Sequence, residues 1–146
     1  MPEKKITVAK LHKFIKTKPE KTFHQFLRYL VAGGMATGVD VFTLLILYQF
    51  LHINHFIAAA ISYFCGILTN FTINVLFVFE STGHIKKEFI IFFSIGVVGL
   101  IWTEIILWTF SDKLGLPVMV AKLIAIAFVL NWNFFMRKKI AFNKKI

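Results

Sequence analysis

The sequence predicts an all-α membrane protein: four transmembrane helices built as two parallel two-helix repeats, with the N and C termini cytoplasmic. Three observations predict it. Apolar residues are in excess, they gather into four runs of spanning length, and the basic residues fall on alternate sides of those runs. Hydrophobic residues make up 58% of the chain and aromatics 16%, with a mean hydropathy of +0.73. Soluble domains run at roughly 45–50% apolar. The runs cover about residues 26–50, 55–79, 89–110 and 117–136. Each is long enough to cross a hydrocarbon core of ~30 Å as a helix, which takes ~20 residues. Backbone groups in lipid must bond to one another, and this makes each run helical. The length of 146 residues leaves room for one membrane domain, 23–143, behind a basic N-terminal segment, 1–22.

The N-terminal segment carries Lys4, Lys5, Lys10, Lys13, Lys16, Lys18 and Lys21 with no apolar core between them. A cleavable signal peptide is therefore not expected, and the first span is expected to act as its own insertion signal. Within 4–18, Ile6, Val8, Leu11, Phe14 and Ile15 recur at near-helical spacing among the lysines. That pattern fits either an interfacial helix ended by Pro19 or a basic tail. The middle loop holds Lys86 and Lys87, and the tail holds Arg137, Lys138, Lys139, Lys144 and Lys145. The loops around 52–55 and 112–117 hold only Lys113. Lysine and arginine mark cytoplasmic loops, so both termini and the middle loop are placed inside. The net charge of +10 sits beside span ends, where it meets anionic lipid, and a nucleic-acid partner is not expected. Cys65 is the single cysteine and reads as a small packing residue inside the second span.

The chain matches itself, without gaps, when its second half is laid on its first. Phe26 falls on Phe89, Gly33 on Gly96, Ala58 on Ala121, Asn70 on Asn133, Phe71 on Phe134 and Phe79 on Phe142, while Asp40 nearly matches Glu104. Each half holds two spans, so both halves insert the same way round, as a parallel repeat about an axis along the membrane normal.

Ionisable and amide side chains inside the spans are costly in lipid and mark candidate sites. At ~1.5 Å of rise per residue, Asp40, Glu104 and Lys122 fall at similar depth in the outer half. There Lys122 can neutralise one of the two acids. A second layer lies in the inner half. Asn70 and Asn74 share a face of span two, Asn131 and Asn133 mark the same depth on span four, and Arg28, Arg137 and Lys138 stand at the cytoplasmic boundary. Asparagine both donates and accepts, which suits hydroxyl-rich ligands. Arginine presents a fork of donors matched to phosphate. The same residues also read as helix-to-helix hydrogen bonds and as topology anchors. Gly33, Gly34, Gly38, Gly96 and Gly99 are expected to allow close helix packing. His52 and His55 read as a solvated loop pair rather than a metal site.

The opening Phe26-Leu-Arg-Tyr-Leu-Val-Ala-Gly-Gly34 and Asp40 resemble the GtrA-like membrane proteins. So do Asn70-Phe-Thr-Ile-Asn74 leading to Phe77-Val-Phe79, Lys122 ahead of Asn131-Trp-Asn-Phe-Phe-Met-Arg-Lys138, and a closing Phe142. The resemblance covers about residues 23–143. It implies a four-helix protein of the bacterial plasma (inner) membrane that helps flip a polyprenyl-phosphate-linked monosaccharide, such as an undecaprenyl phosphate sugar. It also implies work beside membrane glycosyltransferases that decorate teichoic acid, O-antigen or another polysaccharide. The family's polar landmarks fall here on Asn70, Lys122 and Asn133. Arg28 has no basic counterpart at Ile91, which argues against two arginines acting symmetrically at that depth.

On this reading the substrate-binding residues are Asn70, Lys122, Asn133, Asn74, Arg28, Arg137, Asp40 and Glu104. Anionic lipids and a homo-oligomer are the further expected partners, since four helices are few for enclosing a sugar head. No Gly-rich Lys-Ser/Thr phosphate loop, catalytic Ser/His/Asp set or metal-ligand cluster is apparent, so neither an enzyme nor a cofactor is expected. Two alternatives stay open: a non-transporting partner of a glycosyltransferase, and a small proton-coupled multidrug exporter using Asp40.

Overall fold

The computed structural model describes residues 13, 17–19 and 21–143. Most of the segment 4–18 lies outside them, and with it the expected interfacial helix. The described secondary structure is helical throughout. Four helices are long and apolar enough to cross a membrane: α1, Thr22–Phe50; α2, His55–Val78; α3, Ile85–Lys113; and α4, Val118–Ala141.

Each helix runs as α-helix and then closes in a wider π turn: Ile46–Phe50, Asn74–Val78, Trp108–Lys113 and Arg137–Ala141. At these turns a carbonyl is reached by an amide one place further along than in an α turn. Leu51 N–H donates to Ile46 O (3.1 Å), Phe79 N–H to Asn74 O (2.8 Å), Leu114 N–H to Thr109 O (3.1 Å) and Phe142 N–H to Arg137 O (3.0 Å). The turns carry helicity further than hydropathy alone marks. Asp112 and Lys113, expected in a loop, belong to the last turn of α3, and Arg137 and Lys138 belong to that of α4. A charged side chain at a helix end can keep its head in water while its stem stays against the helix.

The chain divides into two compact units, Met1–Glu80 and Ser81–Ile146. Each is a helical hairpin, with α1 packed on α2 in the first and α3 on α4 in the second. In the first hairpin Ala32, Ala36 and Ala58 are buried, and their short side chains let the helices approach. Gly66 is the tightest point: a Cβ there would lie 3.0 Å from Asp40 Cβ and 3.2 Å from Ala36 O. Tyr29 and Phe79 close the open end, ring centroids 6.5 Å apart. At the turn end His52 takes a left-handed backbone (φ 52), and Asn54 Oδ1 caps α2 by accepting from Phe56 N–H at 3.0 Å.

The second hairpin follows the same plan. Ala121 and Ala125 are buried between the helices. Gly99 is the tightest point, where a Cβ would lie 2.8 Å from Asn133 Oδ1 and 3.1 Å from Val129 Cγ1. Phe92 and Phe142 close the open end at 6.4 Å. Gly115, 63 positions after His52, holds the left-handed position of the turn (φ 69). The buried set recurs in the same register. Tyr29, Ala36, Ser62, Phe71, Asn74 and Val78 are buried in one hairpin, and Phe92, Gly99, Ala125, Phe134, Arg137 and Ala141, each 63 positions later, in the other.

One packing expectation is corrected. Gly96 and Gly99 do lie in helix contacts, but Gly33, Gly34 and Gly38 have nothing within 4 Å of a built Cβ among the described residues. The close-packing glycine of the first hairpin is Gly66, on the other helix.

Candidate functional site

The open end of the first hairpin gathers polar groups around the last turn of α2. Its closing carbonyls lack partners within the helix, and donors from the N-terminal side supply them. Lys18 Nζ donates to Val75 O (2.8 Å), Arg28 Nη1 to Phe77 O (3.1 Å) and Gln25 Nε2 to Val78 O (3.2 Å). Cations at the negative end of a helix also gain from its dipole. Arg28 donates to Thr17 O as well (2.9 Å), so one guanidinium ties the N-terminal segment to the end of α2. Inside this collar Asn74 is fully buried. Its Nδ2 donates to Asn70 O (2.8 Å) and to Asn70 Oδ1 (2.7 Å). Asn70 and Asn74 thus share a face as expected, and the two amides form one unit. Asn74 Oδ1 is buried with no hydrogen-bond partner among the described residues.

In the second hairpin Arg137 stands 63 positions after Asn74. It is buried with its guanidinium carbon 3.6 Å from the centre of the Phe92 ring, where the negative ring face favours a cation. Gly96 makes room for it, with a built Cβ 3.3 Å from Nη2. Asn133 rests on Gly99, and its Oδ1 is buried without a partner among the described residues. Asn131, expected at the same depth, is exposed and donates to Ala127 O (2.8 Å) in its own helix. Lys138 Nζ sits 5.9 Å from the Phe134 ring centre.

The three ionisable groups nearer the turn ends are less enclosed. Asp40 is half-buried where α1 meets Gly66 of α2. Glu104 and Lys122 are both exposed, on the two helices of the second hairpin. No hydrogen bond or ion pair joins Glu104 to Lys122 among the described residues.

Four further polar groups carry little signal in the sequence. Glu88 is 1% exposed, and its carboxylate accepts from the hydroxyls of Ser81 (2.9 Å) and Thr82 (2.6 Å) and from the Thr82 N–H. That bonding pins the start of α3. Gln25, 63 positions earlier in the first hairpin, instead caps α2. Trp102 and Trp132 meet across the second hairpin, ring centroids 5.8 Å apart. An acid beside two hydroxyl residues at a helix start is the available clue for Glu88, while the tryptophans lie in runs that read as uniform core. Among the described residues no group of three His, Cys, Asp or Glu is placed to hold a metal.

Four apolar spanning helices, with Asn74 buried in one hairpin and Arg137 in the other, define a multi-pass membrane protein. Residues 28–142 match the family GtrA/DPMS, transmembrane domain, and the chain belongs to that family. No curated protein and no solved structure matches it.

Proposed function

We propose that the protein carries a polyprenyl-phosphate-linked monosaccharide from the inner to the outer leaflet of the bacterial plasma membrane. There the sugar would serve a membrane glycosyltransferase that decorates teichoic acid, O-antigen or another surface polymer. The family match over residues 28–142 carries the reading. The chemistry of the polar groups supports it: amides for hydroxyls, in the buried Asn74 and the half-buried Asn70 and Asn133, and a buried guanidinium for phosphate, in Arg137. The recurrence of burial in the register of the sequence repeat supports a parallel repeat, and the basic residues beside the span ends support cytoplasmic termini.

The lipid-linked head enters at the open ends, where Arg28 and Arg137 meet its phosphate. Lys122 draws the phosphate outward, while Asp40 and Glu104 set the charge along the path and bond sugar hydroxyls. The tail stays in lipid throughout. Anionic lipid holds the basic flanks, and a homo-oligomer completes the enclosure.

The test is Lys122→Ala and Asn133→Ala in the native host, reading sugar on the surface polymer and membrane levels of the protein together. Lost sugar at normal protein level is the expected result. Normal sugar would remove both residues from the path. Purified protein in liposomes should also move the sugar lipid faster than empty vesicles do.

A further inference from the structure

Most hydroxyls in the second hairpin are already committed. Ser94 donates to Ile90 O (2.8 Å), Thr103 to Gly99 O (3.1 Å) and Thr109 to Ile105 O (2.8 Å), each within its own helix. Three other polar atoms are left over on residues where α3 and α4 meet. Trp102 Nε1, Trp132 Nε1 and Asn133 Oδ1 are buried and have no hydrogen-bond partner among the described residues. A buried polar group without a partner is unfavourable, and each case calls for a physical reason. Here two donors and one acceptor belong to residues of one helix contact. Asn133 follows Trp132 in α4 and rests on Gly99, and Trp102 lies just under one turn past Gly99 in α3.

The two indoles are also the core of an aromatic cluster. Trp102 and Trp132 lie with ring centroids 5.8 Å apart at 61°, and Phe128 packs on Trp102 at 5.4 Å and 65°. Neither tryptophan is fully buried, so part of each side chain remains accessible although its N–H is enclosed. An aromatic face is electron-rich and attracts the weakly positive C–H groups of one face of a pyranose ring. A donor or acceptor at the rim then meets the ring's hydroxyls. The cluster is confined to one repeat: the equivalent positions in the first half are Val39, Cys65 and Thr69.

We propose that Trp102 and Trp132, with Phe128 at their edge, form a seat for the pyranose ring of the lipid-linked sugar. Their two indole N–H groups and Asn133 Oδ1 bond its hydroxyls. The proposal rests on the carrier reading above and adds to it the place where the sugar, as distinct from the phosphate, is recognised.

The chain has three tryptophans, so Trp108→Phe leaves only the cluster to fluoresce. This protein, full-length in phosphatidylcholine–phosphatidylglycerol vesicles, is titrated with undecaprenyl phosphate and with its glucose, galactose and N-acetylglucosamine conjugates. At least one conjugate is expected to bind more tightly than undecaprenyl phosphate and to shift the emission, which undecaprenyl phosphate alone leaves in place. Trp102→Ala and Trp132→Ala should each shrink that preference about three- to tenfold. Trp102→Phe and Trp132→Phe keep a ring and lose the N–H, and should retain part of it, which covers the case of an alanine variant that fails to fold. Equal binding of all four lipids overturns the seat, as does a preference that survives loss of both rings. That result would mean the indoles only pack, with their N–H groups held by trapped water. Selective binding without translocation in the same vesicles would uphold the seat and defeat the carrier reading, and translocation with no tryptophan effect would do the reverse.

Discussion

The two hairpins share a frame and differ in what they place in it. Both bury short residues in the same register, hold one left-handed residue at the turn, and close the open end with an aromatic pair. In the first, Gly66 is pressed against a backbone carbonyl and the Cβ of Asp40, which cannot yield. In the second, Gly99 is pressed mainly against the amide tip of Asn133, which can turn. Where the first buries an amide, Asn74, the second buries a cation, Arg137. Packing geometry is set by a few small residues and is indifferent to the chemistry they enclose, so one frame can serve two roles.

That contrast can be broken at its tightest points. Gly66→Leu forces a side chain into backbone and should destabilise the protein by about 3 kcal/mol, seen as a lower Tm in detergent. Gly99→Ala should cost far less stability and should instead displace Asn133, lowering sugar transfer in cells. If the two variants lose stability equally, the difference between rigid and yielding contacts is wrong.

Next come the helix-start groups. Glu88→Ala strands two hydroxyls and an N–H in a buried site and should cost about 2–3 kcal/mol. Gln25→Ala gives up one hydrogen bond to Val78 O and should cost about 1 kcal/mol. Denaturant midpoints of the two variants side by side would sharpen or erase the asymmetry.

The smallest effect is expected at the turns. His52 adopts a backbone suited to glycine, so His52→Gly should stabilise by up to about 1 kcal/mol, while Gly115→Ala should cost about 1 kcal/mol. Thermal melts that moved in the same direction would show that the turns are not equivalent.

Much of this is legible in the sequence. Spanning length and helical class follow from the apolar runs, and the amide pair of span two follows from the spacing of Asn70 and Asn74. The interfaces are not legible, because lipid-facing surfaces are as apolar as packed ones. Phe42 is 65% exposed and Leu123 62%, yet neither differs in kind from the core, so no stripe marks the contact face. For that reason Gly66 is no more conspicuous in the sequence than Gly34 or Gly38. The meeting of Trp102 with Trp132 depends on the register between two helices, which no local spacing encodes. Asp40, Glu104 and Lys122 stand out by their cost in lipid, a signal that gives depth but not direction.

The wide closing turns have a bearing on ancestry. A π turn is an α turn with one residue added, so each helix carries a single spare residue near its end. Deleting one residue from the body of a helix would rotate everything beyond it by about 100° and scramble the buried face. Deleting one from Ile46–Phe50 or Trp108–Lys113 would be absorbed by the short loop that follows. The same loss at Asn74–Val78 or Arg137–Ala141 would turn Phe79 or Phe142 away from its aromatic partner. Length variation among relatives is therefore expected to collect at the first pair of turns and to be purged from the second.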